Sequence, residues 1–342
     1  MPTATHATTQ STATSPTTMR AIIQNRYGVE PDKVLRVADA PRPVISDDEV
    51  LVHVIAAGVD RGTVHCMTGM PYAMRLMGFG VRSPKAPNPG RSLAGIVDSV
   101  GRNVDGFAPG DEVYGSCDGS FSEYARVNPA MLASKPGILS FEQAASMPIS
   151  AGTALQAVRK ANVQPGQQVL VIGASGGVGT FAVQIAKASG AEVTGVCSTS
   201  KVDLVRALGA DRVVDYTLED FADGECRYDV ILDIGGNRRL RDLRRALTPR
   251  GVLIIVGGET HGRWLGGFDR SLRAVLLSLF VRQSLGMLAS TEKAEHLDTL
   301  RELVETGQIS PAIDLAYPLA ETSAAIRHVS EGRARGKVVV TI

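Results

Sequence analysis

The run Val169-Leu170-Val171-Ile172-Gly173-Ala174-Ser175-Gly176-Gly177-Val178-Gly179 carries the most legible chemistry in the chain. Glycines straight after an apolar run let the backbone turn sharply and approach a pyrophosphate. The helix that follows offers free N–H groups and the positive end of its dipole to phosphate oxygens. The run therefore reads as a dinucleotide-binding loop. A second place bears on which dinucleotide. An NAD site sets an acid at the end of the second strand, about 20 residues after the glycines, to hold the ribose hydroxyls. Here that strand ends Val196-Cys197-Ser198-Thr199-Ser200-Lys201, with hydroxyls and a cation and no acid. Donors and positive charge suit a 2′-phosphate, so NADPH is the expected cofactor, although the hydroxyls alone would also serve to cap the next helix.

The elements that must position this loop follow from hydrophobic pattern. From Arg20 to about Pro148, short apolar runs (Glu49 to Ala57, Gly95 to Val100, Asp111 to Tyr114, Ser122 to Val127) are punctuated by Pro-Gly pairs, the pattern of a partly closed β-barrel. Near Ser150 the character changes. Strands are expected at Gln168 to Ile172, Glu192 to Cys197, Arg212 to Val214, Asp229 to Asp233, Gly251 to Val256 and Ser284 to Leu288, with helices at Gly179 to Ser189 and Lys201 to Leu208. Alternating strands and helices, the strands apolar on both faces, predict a doubly wound parallel sheet. After Thr291 one more helix and a closing strand, Lys337 to Ile342, return to the first domain. The expected division is α/β: a disordered tail 1–18, a barrel domain 19–148, a Rossmann domain 149–290 and a return segment 291–342.

Bulk properties exclude several classes. The 342 residues carry a net charge of +1, so nothing draws the whole chain to nucleic acid. The Arg238, Arg239, Arg241, Arg244 and Arg245 run follows a Gly-Gly-Asn turn within a helical pattern and reads as a solvated helix face. Cys66, Cys117, Cys197 and Cys226 stand far apart, which excludes a disulfide scaffold and a Cys-cluster zinc site and implies a reducing compartment. The first 18 residues are Thr/Ala/Ser-rich and lack the basic and apolar regions of a signal peptide. The cytoplasm is the expected location.

The run Gly173 to Lys187, with Ala144-Ala145-Ser146-Met147-Pro148 and Gly152-Thr153-Ala154 upstream, resembles the quinone-oxidoreductase branch of the medium-chain dehydrogenase/reductase family. The chain is also similar to the alcohol dehydrogenase-like group around reticulon-4-interacting protein. The resemblance spans Met19 to Ile342 and implies a GroES-like barrel plus a Rossmann domain, with the active site in the cleft between them. It implies Thr153 and Val178 near the nicotinamide and phosphates, and Ser198, Lys201 and Tyr216 near the 2′-phosphate. It also implies Gly235, Gly257 and Gly258 as strand-end residues lining the cofactor. Zinc-dependent members need a Cys and then a Gly-His-Glu where this chain has Gly58-Val59-Asp60 and Gly90-Arg91-Ser92, and their four-Cys loop is missing, so no metal is expected. Departures from the non-zinc members fall at Asp60, Thr63 and Ser92, which are Asn, Asp and Asp in those relatives.

Without a metal, a hydrogen-bond donor must polarise the acceptor, or the electrons must enter a conjugated system. Quinones and α,β-unsaturated carbonyls fit, and the donor candidates are Asp60, Thr63, His65 and Tyr72. Two other readings stand beside this one: a metal-free carbonyl or alcohol oxidoreductase, and a catalytically silent NADPH-binding sensor or interaction module. The Met-rich stretch Met67 to Phe79 reads equally as a pocket lip or a core helix. Ser271 to Val281 is apolar almost all round and too short to span a bilayer, so a lid or a homodimer interface beside Ser284 to Leu288 is expected, with no stable membrane insertion.

Overall fold

The structure is a computed structural model in which residues 17–224, 226–258 and 262–342 are described. The expected tail therefore lies almost wholly outside the described residues. Its last residue is a correction: Thr18 already pairs with Pro41 and opens the first strand. The chain begins β1 (Thr18–Gln24), α1 (Pro31–Val34), β2 (Leu35–Pro41), β3 (Val50–Val59), α2 (Arg61–Thr68) and α3 (Tyr72–Met74). Then come β4 (Ser92–Val100), β5 (Glu112–Ser116), β6 (Tyr124–Val127), β7 (Leu132–Ser134), α4 (Phe141–Ala145) and α5 (Ser150–Ala161).

The next stretch alternates. It runs β8 (Gln168–Ile172), α6 (Gly177–Ala188), β9 (Glu192–Cys197), α7 (Val202–Ala207), β10 (Arg212–Asp215), β11 (Tyr228–Asp233), α8 (Leu240–Ala246), β12 (Leu247–Ile255), α9 (Phe268–Ser278) and β13 (Ser284–Met287). These strands form one parallel sheet in the order β10-β9-β8-β11-β12-β13. Successive side chains of a strand point to opposite faces, and here each face has its own core. Val169, Val171, Val230 and Leu232 pack with α5, α6 and later helical residues, while Leu170, Ile172, Ile231 and Leu253 pack with Leu243, Ala246 and Ala274. Eight consecutive residues of α6, Gly179 to Ala186, are buried, so this helix is wedged between the sheet and α5.

The chain closes with α10 (Ala294–Glu305), β14 (Ile313–Pro318), α11 (Thr322–Ser330) and β15 (Lys337–Thr341). A seven-stranded sheet takes the order β14-β15-β3-β4-β5-β7, with β6 also on β3. The last strand thus lies between β14 and β3, with Val338 opposite Val59. Order reverses at β8 and β11, and a ligand binds at the carboxyl ends of strands where such a reversal opens a crevice. The Met-rich stretch is neither one core helix nor one lip. It breaks at Gly69 to Pro71, leaving Met67 buried and Leu76 and Met77 exposed. The Arg run is also only partly helical: α8 starts at Leu240, and Arg238 bridges to Asp220 over the Phe221 ring.

Candidate active site

The glycine loop has the geometry its residues require. Gly173 adopts φ +84°, and a Cβ on Gly179 would lie 2.0 Å from the Gly173 carbonyl oxygen, so neither position accepts a side chain without moving the turn. Gly173, Ala174, Ser175 and Gly176 lead into α6 with no side chain capping it. The N–H groups of Gly177, Val178 and Gly179 consequently point out of the helix end without an intrahelical acceptor. Gly235 stands just across the crevice after β11, its nitrogen 3.0 Å from a Cβ built on Gly173, and Gly257 and Gly258 follow β12.

A buried lysine faces this helix end. Lys337, the first residue of β15, is 1% exposed. Its Nζ donates to the Val59 carbonyl at 3.1 Å and to Ser150 Oγ at 2.9 Å, and its Cδ lies 3.1 Å from a Cβ built on Gly177. Gly336 N donates to Ser175 O, tying the same strand to the loop. Burial pushes the ammonium below its ordinary pKa, and nearby Asp60 works the other way. Lys337, Ser150 and the α6 N-terminus together fit a phosphate-bearing ligand, because an ammonium and free N–H groups meet there with no acid among their bonded partners.

The barrel contributes a charged cluster that Asp60 links electrostatically to Lys337. Arg91 Nη2 lies 3.4 Å from Glu292, and Nη1 lies 3.9 Å from Asp118. Burial opposes the guanidinium charge, yet Glu292, Asp118 and Asp60 outweigh it and raise its pKa. Burial pushes the Cys66 thiol up to about 11, against the pull of the nearby Arg91 charge. Two buried polar atoms here have no partner among the described residues: Arg91 Nε, a donor, and Asp60 Oδ2, an acceptor. Such orphans are costly unless a ligand satisfies them. Glu292 sits beside Gly152, one residue from Thr153 at the start of α5.

The four proton-donor candidates separate in the structure. Asp60 and Thr63 form a capping box on α2: Asp60 Oδ1 accepts from Thr63 N at 3.0 Å, and Thr63 Oγ1 accepts from Asp60 N at 3.4 Å. Thr63 is fully buried in that role. His65 Nδ1 meets the Met70 carbonyl at 2.8 Å, so Nδ1 carries the proton and Nε2 is left for another partner. Tyr72 packs edge-on against Trp264 and carries Arg75 over its ring. Thr153 Oγ1 donates back to Ile149 O at 2.7 Å.

At the far end of the crevice, Lys201 Nζ donates to the Gly332 and Ala334 carbonyls at 3.0 and 2.7 Å, and burial lowers its pKa. Ser198 precedes a short turn, Thr199–Lys201, and its hydroxyl makes no cap. Tyr216 is exposed, and its N–H donates to Cys197 O. The strand-end reading overlooked Asp215, an acid on the neighbouring strand that register places opposite Cys197. Hydroxyls of Thr199 and Thr217 hold its carboxylate below its usual range. Arg270 and Asp233 were overlooked too. They form a buried ion pair at the end of β11, and Asp233 Oδ1 accepts from Gly236 N, which shapes the Gly235–Gly236 turn.

This fold and crevice are those of an oxidoreductase in the medium-chain dehydrogenase/reductase family. The chain matches the family profiles "Alcohol dehydrogenase GroES-like domain" over residues 46–137 and "Zinc-binding dehydrogenase" over residues 208–340. It is 31% identical to a 2-methylene-furan-3-one reductase of Solanum lycopersicum, covering 98% of this chain and 82% of that one. It is 33% identical to the mitochondrial NAD(P)H oxidoreductase RTN4IP1 of Mus musculus, covering 97% and 91%. The quinone oxidoreductase of Coxiella burnetii superposes with a TM-score of 0.82 at 27% identity, covering 95% and 99%. The chain belongs to the quinone oxidoreductase-like group of this family.

Proposed function

We propose that this protein reduces quinones or α,β-unsaturated carbonyls with NADPH and without a metal. The observation that carries the reading is the bare α6 N-terminus facing buried Lys337, with Asp60 linking that lysine electrostatically to Arg91, whose Nε has no partner among the described residues. A nicotinamide cofactor supplies the hydride when bound. Gly177, Val178 and Gly179 N–H groups with Lys337 would hold its pyrophosphate; Ser198, Thr199, Lys201 and Tyr216 would face a 2′-phosphate. Arg91 donates to the acceptor oxygen and stabilises the negative charge that develops there. Glu292 and Asp118 hold its guanidinium in place. His65 is the candidate for delivering the proton through Nε2, since Nδ1 is engaged by the Met70 carbonyl. The names of the relatives support this over a silent binding module, and the absence of a His or Cys at Val59, Asp60, Arg91 and Ser92 supports metal-free chemistry.

We further infer a homodimer joined along β13, whose outer edge has no strand partner among the described residues. The cytoplasm is the compartment this reading favours, since all four cysteines are free thiols. The deciding experiment follows NADPH and NADH oxidation over quinones, enones, saturated aldehydes and alcohols, with elemental analysis of the same preparation. Turnover of quinones or enones by a zinc-free preparation is the expected result. Binding of NADPH without turnover on any acceptor, or stoichiometric zinc, overturns it.

A further inference from the structure

Helix α9 turns Arg270, Ser271 and Ala274 inward and leaves its apolar side uncovered. Ser271 and Ala274 are buried, whereas Phe268, Leu272, Val275, Leu276, Leu279 and Phe280 form an outward stripe. The last two are 76% and 83% exposed. Contiguous exposed apolar surface of this kind marks an interaction site. The stripe runs about 18 Å along the helix. At one end it reaches Trp264, 74% exposed, which packs on Tyr72 and whose carbonyl accepts from Ala73 N. At the other end lies a surface cavity of about 380 Å³ lined by Arg241, Arg244, Arg245 and Arg282 beside Val281. No acid lines it. Arg241 has a weak contact to Asp242 at 3.4 Å, and Arg244 is oriented by Gln283.

We propose that this face docks on the surface of an anionic phospholipid bilayer, with the arginine cavity taking headgroup phosphates and the Leu279–Phe280 tip entering the acyl boundary. The charge pattern selects this occupant. A purely protein-covered stripe needs no cluster of four guanidiniums at its end, whereas an interfacial helix combines an aromatic and leucine face with flanking arginines. Among the described residues no helix is long and apolar enough to cross a membrane, so the contact is peripheral. Antiparallel pairing of β13 with its copy keeps sheet faces in common, so two stripes would present to one flat surface. Because Trp264 abuts the Tyr72 segment, docking sets that segment against the layer in which apolar acceptors dissolve. This inference goes beyond the reaction assigned above, and its test is separate from turnover.

The test is sedimentation of the full chain with phosphatidylcholine vesicles and with vesicles containing phosphatidylglycerol. Wild type should sediment with the anionic vesicles only, and less so at high salt. Each guanidinium near an anionic surface contributes about a fivefold factor in partitioning. R241Q/R245Q should therefore bind about 25-fold more weakly, and L279S/F280S should lose binding. NADPH oxidation with a short, water-soluble quinone should stay within about twofold for both, as expected for surface changes away from the site. Wild type remaining in solution with both vesicle types overturns the proposal. So does binding that neither double variant weakens. Light scattering in which L279S/F280S turns a dimer into monomers assigns the stripe to a second copy and overturns it as well.

Discussion

Replacing Lys337 by Met separates its role toward phosphate from its role in the fold. Met keeps an unbranched stem against Gly177 and removes the ammonium. Two charge-assisted hydrogen bonds are lost, to Val59 O and Ser150 Oγ, at about 1.5–3 kcal/mol each. Against that, the cost of burying a charge, several kcal/mol, is relieved. The net stability change should stay within roughly 2 kcal/mol. Cofactor binding has no such offset. Loss of one charge-assisted contact costs about 1.5–3 kcal/mol, or roughly 10- to 150-fold in affinity. The pyrophosphate is common to both cofactors, so NADPH and NADH should weaken equally. The pH dependence has a defined sign. The folded-state pKa lies below 10.5, so between it and 10.5 the unfolded chain binds more protons and stability rises with pH. K337M should lack that rise. Fluorescence titration with both cofactors and urea unfolding from pH 7 to 10.5 read out all of this. An unchanged affinity for both cofactors, or a loss confined to NADPH, would refute the placement of Lys337 at the pyrophosphate.

Arg91→Gln should lower kcat by about 10²–10³, the usual effect of removing one oxyanion donor, while the NADPH dissociation constant stays put; a change in KM alone would show that Arg91 only binds substrate. Lys201→Ala should weaken NADPH about tenfold and leave NADH unchanged, with the gap narrowing as salt rises; equal loss for both cofactors would confine Lys201 to anchoring Gly332 and Ala334. Arg270→Met strands a buried carboxylate and should cost about 3–5 kcal/mol of stability. Burial already raises the Asp233 pKa, against the pull of Arg270, so the folded state holds its proton over a window above 3.8. Stability therefore falls as pH rises through that window, and the R270M defect should be smallest on its acid side; denaturant melts at pH 4 and 8 that give the same loss would count against it.

What could be read in advance was whatever local pattern determines. An apolar run such as Val169 to Ile172 must be a strand buried on both faces, and glycines after it must turn, so loop and sheet were legible. Residues brought to the candidate site by long-range register were not. Lys337 opens a run of three valines and looks like an ordinary strand end until β15 slides in beside β3. Asp215 lies opposite Cys197 only because β10 pairs with β9. Arg91 was visible as the residue standing where a metal ligand would be, but its charge role depends on Glu292, 201 positions away. Conversely, Asp60 and Thr63 stand three apart at a helix start, a spacing that already spells a capping box, and that is the role in which the structure holds them.

The partnership of β15 with β3 also governs when the protein becomes competent during synthesis. Lys337 reaches Val59 across 278 residues, and the whole doubly wound unit lies between them. At about 5–20 residues per second, a ribosome needs roughly 15 to 55 s to make that intervening chain. For all that time β3 has an open flank, and the site has its glycine loop without its lysine. The strands of the parallel sheet are complete by Met287, well before Lys337 is added. The contacts of Lys337 with Val59 and Ser150 exist only once β15 has paired with β3, so the proposed phosphate site is completed only after residue 337 has been made.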